Sequence, residues 1–253
     1  ETAGCNSVVL ESAHDLDRAL HAIAHSVCIF SSQMCTAAQN IFVPRSGVAT
    51  DDGHVAYDDV VARLAGQLDR LTDDPKVASA LCGAIMSERT LEEMDALQTT
   101  GEKVGRIARA PGEFENAEFP AARTRSPLLV ELDSTERDVY GREHFGPMAF
   151  VIRSDSPAHA LERATEDAKA HGAIASYGYS IDPEFQDTMI DAYASAGASV
   201  GINLLRQLPI NYAAAYSDFH VTGLNPAGTA CLSDLAFVAS RFRITQSKTE
   251  RSV

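Results

Sequence analysis

A chain of 253 residues, 45% hydrophobic and 22% charged, carries enough apolar material for a full-sized core and has no low-complexity tract. Its formal net charge of −14, without a lysine or arginine run able to follow a phosphate backbone, argues against nucleic acid as a partner. No stretch reaches the roughly 18 uninterrupted apolar residues of a membrane span, and no basic leader opens the chain. The five cysteines (Cys5, Cys28, Cys35, Cys82, Cys231) are odd in number and unpaired in spacing, which predicts reduced thiols and a cytoplasmic location.

In chain order, SVVL at 7–10 reads as a short buried strand. SAHD at 12–15 fits a capping box with Ser12 at the helix start. Leu16, Ala19, Leu20, Ile23, Val27 and Phe30 then recur at helical spacing. NIFV at 40–43 is the next strand, stopped by Pro44. A second helix places Val60, Val61, Leu64, Leu68 and Leu71 on one face. The Gly-, Pro- and charge-rich stretch from Gly101 to Arg125 reads as an extended connection. Strands follow at 127–132 and 148–153, a helix at 157–170, a strand in AIASYGYS, a helix at 183–196 and a strand in ASVGINLL. RFRITQS near the end alternates like an edge strand. Strands alternating with helices predict an α/β fold with a mostly parallel sheet flanked by helices in three layers. One domain over 1–240 and a tail strand over 241–253 are expected.

Cys35 stands where an apolar run breaks, in IFSSQMCTAAQNIFVP. Cys5, Cys28, Cys82 and Cys231 read as small buried hydrophobes. Cys35 differs because Ser31, Ser32, Gln33, Thr36 and Ala37 around it are polar or small, leaving room for a substrate. If it opened a short helix leading to Asn40, the helix N-terminus would favour its thiolate. Its spacing to other cysteines and histidines does not suit a metal. His21 and His25 fall on the polar side of their helix. A cysteine–histidine hydrolase would need one of His54, His144, His159, His171 or His220, and the sequence does not select among them.

SSQMCTA resembles the nucleophile motif of the aldehyde dehydrogenase superfamily, G-Q-x-C-x-A. ETAGCNSVVLESAHDLDRA resembles that family's segment E-L-G-G-x-x-x-x-I-V with the helix after it, and REHFGPM at 142–148 resembles its E-I-F-G-P motif. The segment from Ala173 to Asn203 resembles the family's later strand, helix and asparagine-ended strand. Four likenesses in order, with a 34-residue interval from Glu1 to Cys35, make the resemblance specific. Within it, the serines before Gln33 and the ending from Ser217 to Ser247 look like the phenylacetate-degradation (PaaN-type) branch. Phe30 and Ser32 replace the usual asparagine and glycine of N-x-G-Q-x-C, and the family's P-F-G-G-x-K-x-S-G is missing.

The resemblance implies NAD- or NADP-dependent oxidation of an aldehyde to an acid, the substrate being a CoA-linked semialdehyde from aromatic catabolism. Cys35 would be the nucleophile, its backbone N–H helping to hold the oxyanion. Glu1 would be the base that activates water. Glu143 would bind the ribose hydroxyls of the cofactor and Phe145 would pack against the nicotinamide end. It further implies an upstream dinucleotide-binding domain, a fragment inactive by itself, and a homo-oligomer in which RFRITQSKTERSV extends a neighbour's sheet. A CoA-acylating dehydrogenase and a non-catalytic oligomerising module are the alternative expectations.

Overall fold

Continuous apolar runs become central strands and three-to-four spacings become helices. The structure, a computed structural model, describes residues 4–205 and 247–249. Strand β1 (Ser7–Leu10) is buried along its length and leads into the two-residue strand β2 (Ser12–Ala13). Helix α1 (Leu16–Cys28) is capped by Asp15, whose carboxylate accepts the Arg18 N–H at 3.0 Å. This corrects the expected cap. Ser12 lies in β2, and its hydroxyl accepts the Ile181 N–H at 2.8 Å. A charged acceptor at Asp15 also meets the positive end of the helix dipole, which serine cannot do.

A 3-10 turn, Ile29–Ser32, ends α1. Phe30 therefore falls outside the helix's apolar face and is 58% exposed. Next come β3 (Asn40–Pro44), an antiparallel hairpin of β4 (Val48–Thr50) and β5 (Gly53–Val55), and α2 (Tyr57–Thr72). The hairpin joins β2 in a small sheet that the sequence reading did not anticipate. Helix α2 buries Val60, Val61, Leu64 and Leu68, with Leu71 half-buried. Helices α3 (Pro75–Cys82) and α4 (Glu88–Val104) were also not anticipated. The expected extended connection holds only in part, because α4 runs to Val104 and strand β6 (Arg106–Arg109) follows. Then come β7 (Leu128–Asp133), a one-turn helix α5 (Arg137–Tyr140), β8 (Met148–Ser154), α6 (Pro157–His171), β9 (Ser176–Tyr179), α7 (Pro183–Ser195), β10 (Val200–Ile202) and β11 (Ser247–Thr249).

The main sheet has the order β11-β10-β9-β1-β3-β8-β7-β6, parallel throughout except β6 against β7. Alternation along the strands divides the core. Val8, Leu10, Ile41 and Val43 pack toward α1 and α2. Val9 and Phe42 face the other layer, with Met94 of α4, Ala164 of α6 and Tyr193 of α7. The expected three layers are present. The described tail residues, Ser247–Thr249, pair in parallel with β10 of their own chain and are exposed. The rest of the tail that was expected to extend a neighbour's sheet lies outside the described residues.

Register positions the site. Ser7 of β1 pairs with Asn40 of β3 and Ser176 of β9, and Asn40 pairs with Phe150 of β8. The segments leading into these strands, 4–6, 33–39, 142–147 and 172–175, therefore meet at the amino ends of the parallel strands. Open α/β sheets more often place their sites at the carboxyl ends.

Candidate active site

Cys35 lies in a turn, half-buried, between the 3-10 turn and β3. The short helix considered from Cys35 to Asn40 is absent, so it has no N-terminus there to favour the thiolate. Asn6, 3% exposed, holds the turn instead. Its amide donates to the carbonyls of Cys35 (2.7 Å) and Ala37 (3.1 Å). Its Oδ1 accepts the N–H groups of Ile174 (3.0 Å) and Ala175 (3.1 Å). Every polar atom of that amide is thus in use, and the thiol's backbone is fixed to the segment before β9. The approach is close: a Cβ on Gly4 would stand 1.9 Å from the Gly172 carbonyl oxygen. Tyr177, buried beneath, donates its hydroxyl to the Thr36 carbonyl at 3.0 Å. Burial first, then the nearness of Cys35, pushes its phenol above the usual range.

The backbone before the thiol is strained. Phe30, Ser31 and Ser32 have φ of 51°, 54° and 50°, left-handed values that side-chain-bearing residues rarely adopt in succession. Side chains hold it there. Ser31 Oγ donates to the Cys82 carbonyl (2.8 Å) and Ser32 Oγ to the Val27 carbonyl (2.6 Å). Gln33 donates to the carbonyls of Phe30 (3.1 Å) and Ala84 (2.8 Å), and accepts the Met86 N–H at 2.8 Å.

Glu143 and Phe145 sit in the loop entering β8. Gln39 ties that loop to the thiol segment, its Oε1 accepting the His144 N–H at 2.7 Å and its Nε2 donating to the Arg142 carbonyl at 2.8 Å. A narrow cleft of about 10 Å³, the space of one water molecule, is lined by Ser32, Met34 and Ala37 from one motif and by Glu143 and Phe145 from the other. Glu143 and Phe145 line this cleft directly, whereas Cys35 does not; its chain neighbour Met34 does. Glu1 lies outside the described residues.

Glu143 is half-buried, and burial, then repulsion from Glu93, raises its pKa above the usual carboxylate value. Such a group gains from hydrogen-bond donors. Phe145 leaves 45% of its surface exposed beside it. The loop entering β8 thus presents a half-buried carboxylate and, two residues on, an exposed aromatic surface.

The other described cysteines pack as expected: Cys5, Cys28 and Cys82 are fully buried. Burial, aided by Asp167 and Glu143, pushes the Cys5 thiol up to about 12. Cys231 and His220 lie outside the described residues. His21 is exposed as expected, whereas His25 is half-buried. His144 offers its ring nitrogens to Glu93 and the Val139 carbonyl. No group of three metal-ligating side chains occurs among the described residues, and no helix among them is long and apolar enough to cross a membrane. Asn6 and Gln39 escaped the sequence reading. The signal for Gln39 was present as two adjacent amides, Gln39-Asn40, set directly against the apolar run of β3.

The family model described as Aldehyde dehydrogenase family matches residues 1–181, well over half of the chain. N-succinylglutamate 5-semialdehyde dehydrogenase of Burkholderia mallei (strain SAVP1) is 29% identical over 168 residues, covering 66% of this chain and 32% of that protein. The same enzyme of Hahella chejuensis (strain KCTC 2396) gives the same figures, 29%, 66% and 32%. An NAD-dependent aldehyde dehydrogenase from Burkholderia multivorans superposes with a TM-score of 0.86 at 42% identity, over 95% of this chain and 42% of that one. Gamma-glutamyl-gamma-aminobutyraldehyde dehydrogenase from Burkholderia cenocepacia J2315, at TM-score 0.62 and 22% identity over 79% of this chain and 38% of that one, shares the fold. The chain spans about a third of the length of the curated relatives it matches.

Proposed function

The chain belongs to the aldehyde dehydrogenase family, and on that premise we propose that it is the thiol-bearing part of an NAD(P)-dependent enzyme oxidising an aldehyde to a carboxylic acid. The observation carrying this reading is the shared cleft. Met34, next to Cys35 in the chain, lines one small cleft with Glu143 and Phe145, and Gln39 ties the two segments together, so the thiol's turn and the loop assigned to the dinucleotide are neighbours.

In this mechanism the Cys35 thiolate attacks the aldehyde carbon, forming a C–S bond while the carbonyl π electrons move to oxygen. Glu143 would hold the ribose hydroxyls of the dinucleotide and Phe145 its nicotinamide side. When bound there, the dinucleotide would supply the acceptor for the hydride leaving that carbon. Water then attacks the resulting thioester, and the C–S bond breaks to release the acid and the thiolate. Glu1 is assigned the deprotonation of that water, a role supported by its 34-residue spacing from Cys35. Asn6 touches no substrate in this scheme; it keeps the Cys35 carbonyl, and hence the thiol, in place.

The substrate is assigned as a semialdehyde, CoA-linked and from phenylacetate catabolism. Support for this comes from the serines before Gln33 and the likeness of residues 217–247 to that branch. The curated relatives carry the name of a different semialdehyde. The test is aldehyde-dependent NAD(P)H formation by the full-length polypeptide, with CoA-linked and free semialdehydes. Activity is expected to fall at least about a thousandfold in Cys35→Ala. Retained turnover in that variant overturns the assignment, and a product that is acyl-CoA only when free CoA is added favours the acylating alternative.

A further inference from the structure

His144 lies between the two residues assigned to the cofactor, yet its side chain is fully buried. A residue needed only to fill that space would be apolar. This one instead meets two specific acceptors on two different elements. Its Nδ1 stands 2.9 Å from Glu93 Oε1 on α4, and its Nε2 stands 2.8 Å from the Val139 carbonyl oxygen on α5. The ring leans on Phe150 with centroids 5.2 Å apart, and its own backbone N–H is taken by Gln39. A neutral imidazole donates to one of these two acceptors and an imidazolium to both, so the neutral ring keeps one donated tether and packs its other nitrogen against the second element.

The neighbouring contacts agree. Gly146 has φ +152°, and a Cβ there would stand 2.5 Å from Thr90 Cγ2, so α4 presses directly on this loop. Glu93 is also the charge that repels Glu143. A donor ring that engages the Glu93 carboxylate draws that charge onto itself and leaves Glu143 to face the cleft. We propose that His144, anchored by Glu93 and the Val139 carbonyl, is the positioning residue that sets the Glu143–Phe145 loop for the ribose of the dinucleotide. The proposal rests on the reading of Glu143 as the ribose ligand.

The test is a double-mutant cycle on the full-length polypeptide, reading the dissociation constant for NAD⁺ and NADP⁺ by titration and the KM for the better one. Glu93→Ala removes a partly exposed partner without opening the core, and His144→Leu keeps the volume but loses the tethers. Each is expected to weaken dinucleotide binding about tenfold, with the loss falling on KM more than on kcat. Neither is expected to weaken it further in a Glu143→Ala background. If Glu143→Ala weakens binding while Glu93→Ala and His144→Leu do not, or if their effects add fully to it, the positioning role is overturned. If Glu143→Ala itself leaves binding unchanged, the ribose assignment falls and takes this proposal with it.

Discussion

The most unusual residues in the molecule are Phe30, Ser31 and Ser32, three consecutive side-chain-bearing residues in the left-handed region. Each such residue costs about 1–2 kcal/mol relative to the right-handed alternative, and strain of this kind tends to gather at sites where geometry is enforced from outside. The enforcing groups are the hydroxyls of Ser31 and Ser32 and the amide of Gln33. Phe30 makes no comparable return, since it is 58% exposed. Asparagine enters the left-handed region more readily than phenylalanine does. Phe30→Asn is therefore expected to stabilise the protein by about 0.5–1 kcal/mol, seen as a higher denaturant midpoint at unchanged slope. A midpoint that falls would show that the ring contributes packing worth more than the strain. The sequence did show Phe30 and Ser32 as departures from a motif. That both sit at positive φ needed coordinates, because residue type fixes φ only at proline and merely permits positive values at glycine.

At the scale of elements, the site is made by what happens just before each strand, and one side chain connects most of those segments. Asn6 precedes β1, holds the turn that precedes β3 and receives the amides that precede β9. Removing it leaves two carbonyls and two N–H groups without that partner in a spot that is 3% exposed. Asn6→Ala is expected to cost about 3 kcal/mol or more, measured by urea unfolding. A loss below about 1 kcal/mol would mean that water takes over these bonds and that the turn is not held as described. The helices and strands themselves were largely legible: β1, α1, β3, α2, β7, β8, α6 and α7 each follow an apolar period visible in the chain. The capping of α1 was misread because Ser12 and Asp15 both satisfy the local rule, and the choice between them came from β2 pairing with β4. Helices α3 and α4 and strand β6 escaped the sequence reading, although α7, which was expected, buries only Met189 and Tyr193. Helix α4 buries only Thr90, Met94, Leu97 and Gly101 among its seventeen residues.

At the scale of the whole molecule, burial of titratable groups links stability to pH. His25 and His144 both have pKa values lowered below the usual histidine value, burial being the first cause in each. As pH falls through the unfolded-state histidine value near 6.5, the unfolded chain takes up protons before these folded rings do, so they withdraw stability on acidification. Asp167 and Glu143 act oppositely. Burial raises their pKa values, so the folded state binds their protons first and regains stability as pH drops toward the carboxylate range. The unfolding midpoint is expected to fall from pH 7.5 to pH 6 and then to level off as the carboxyls protonate. A midpoint that is flat or rising between pH 7.5 and 6 would contradict the histidine assignment. The sequence by itself determined the class of the fold, because apolar period is a local property, and it nominated Cys35 from its small and polar neighbours and Glu143 and Phe145 from a resemblance. Only the tertiary structure decided that Asn6 and Gln39 join those motifs, that His144 is tethered from two elements, and that the site lies at the amino ends of the strands. These depend on how the elements pack and on strand order and register, which bring Asn6 to Ile174 and Gln39 to His144 across more than a hundred residues and which no local pattern encodes.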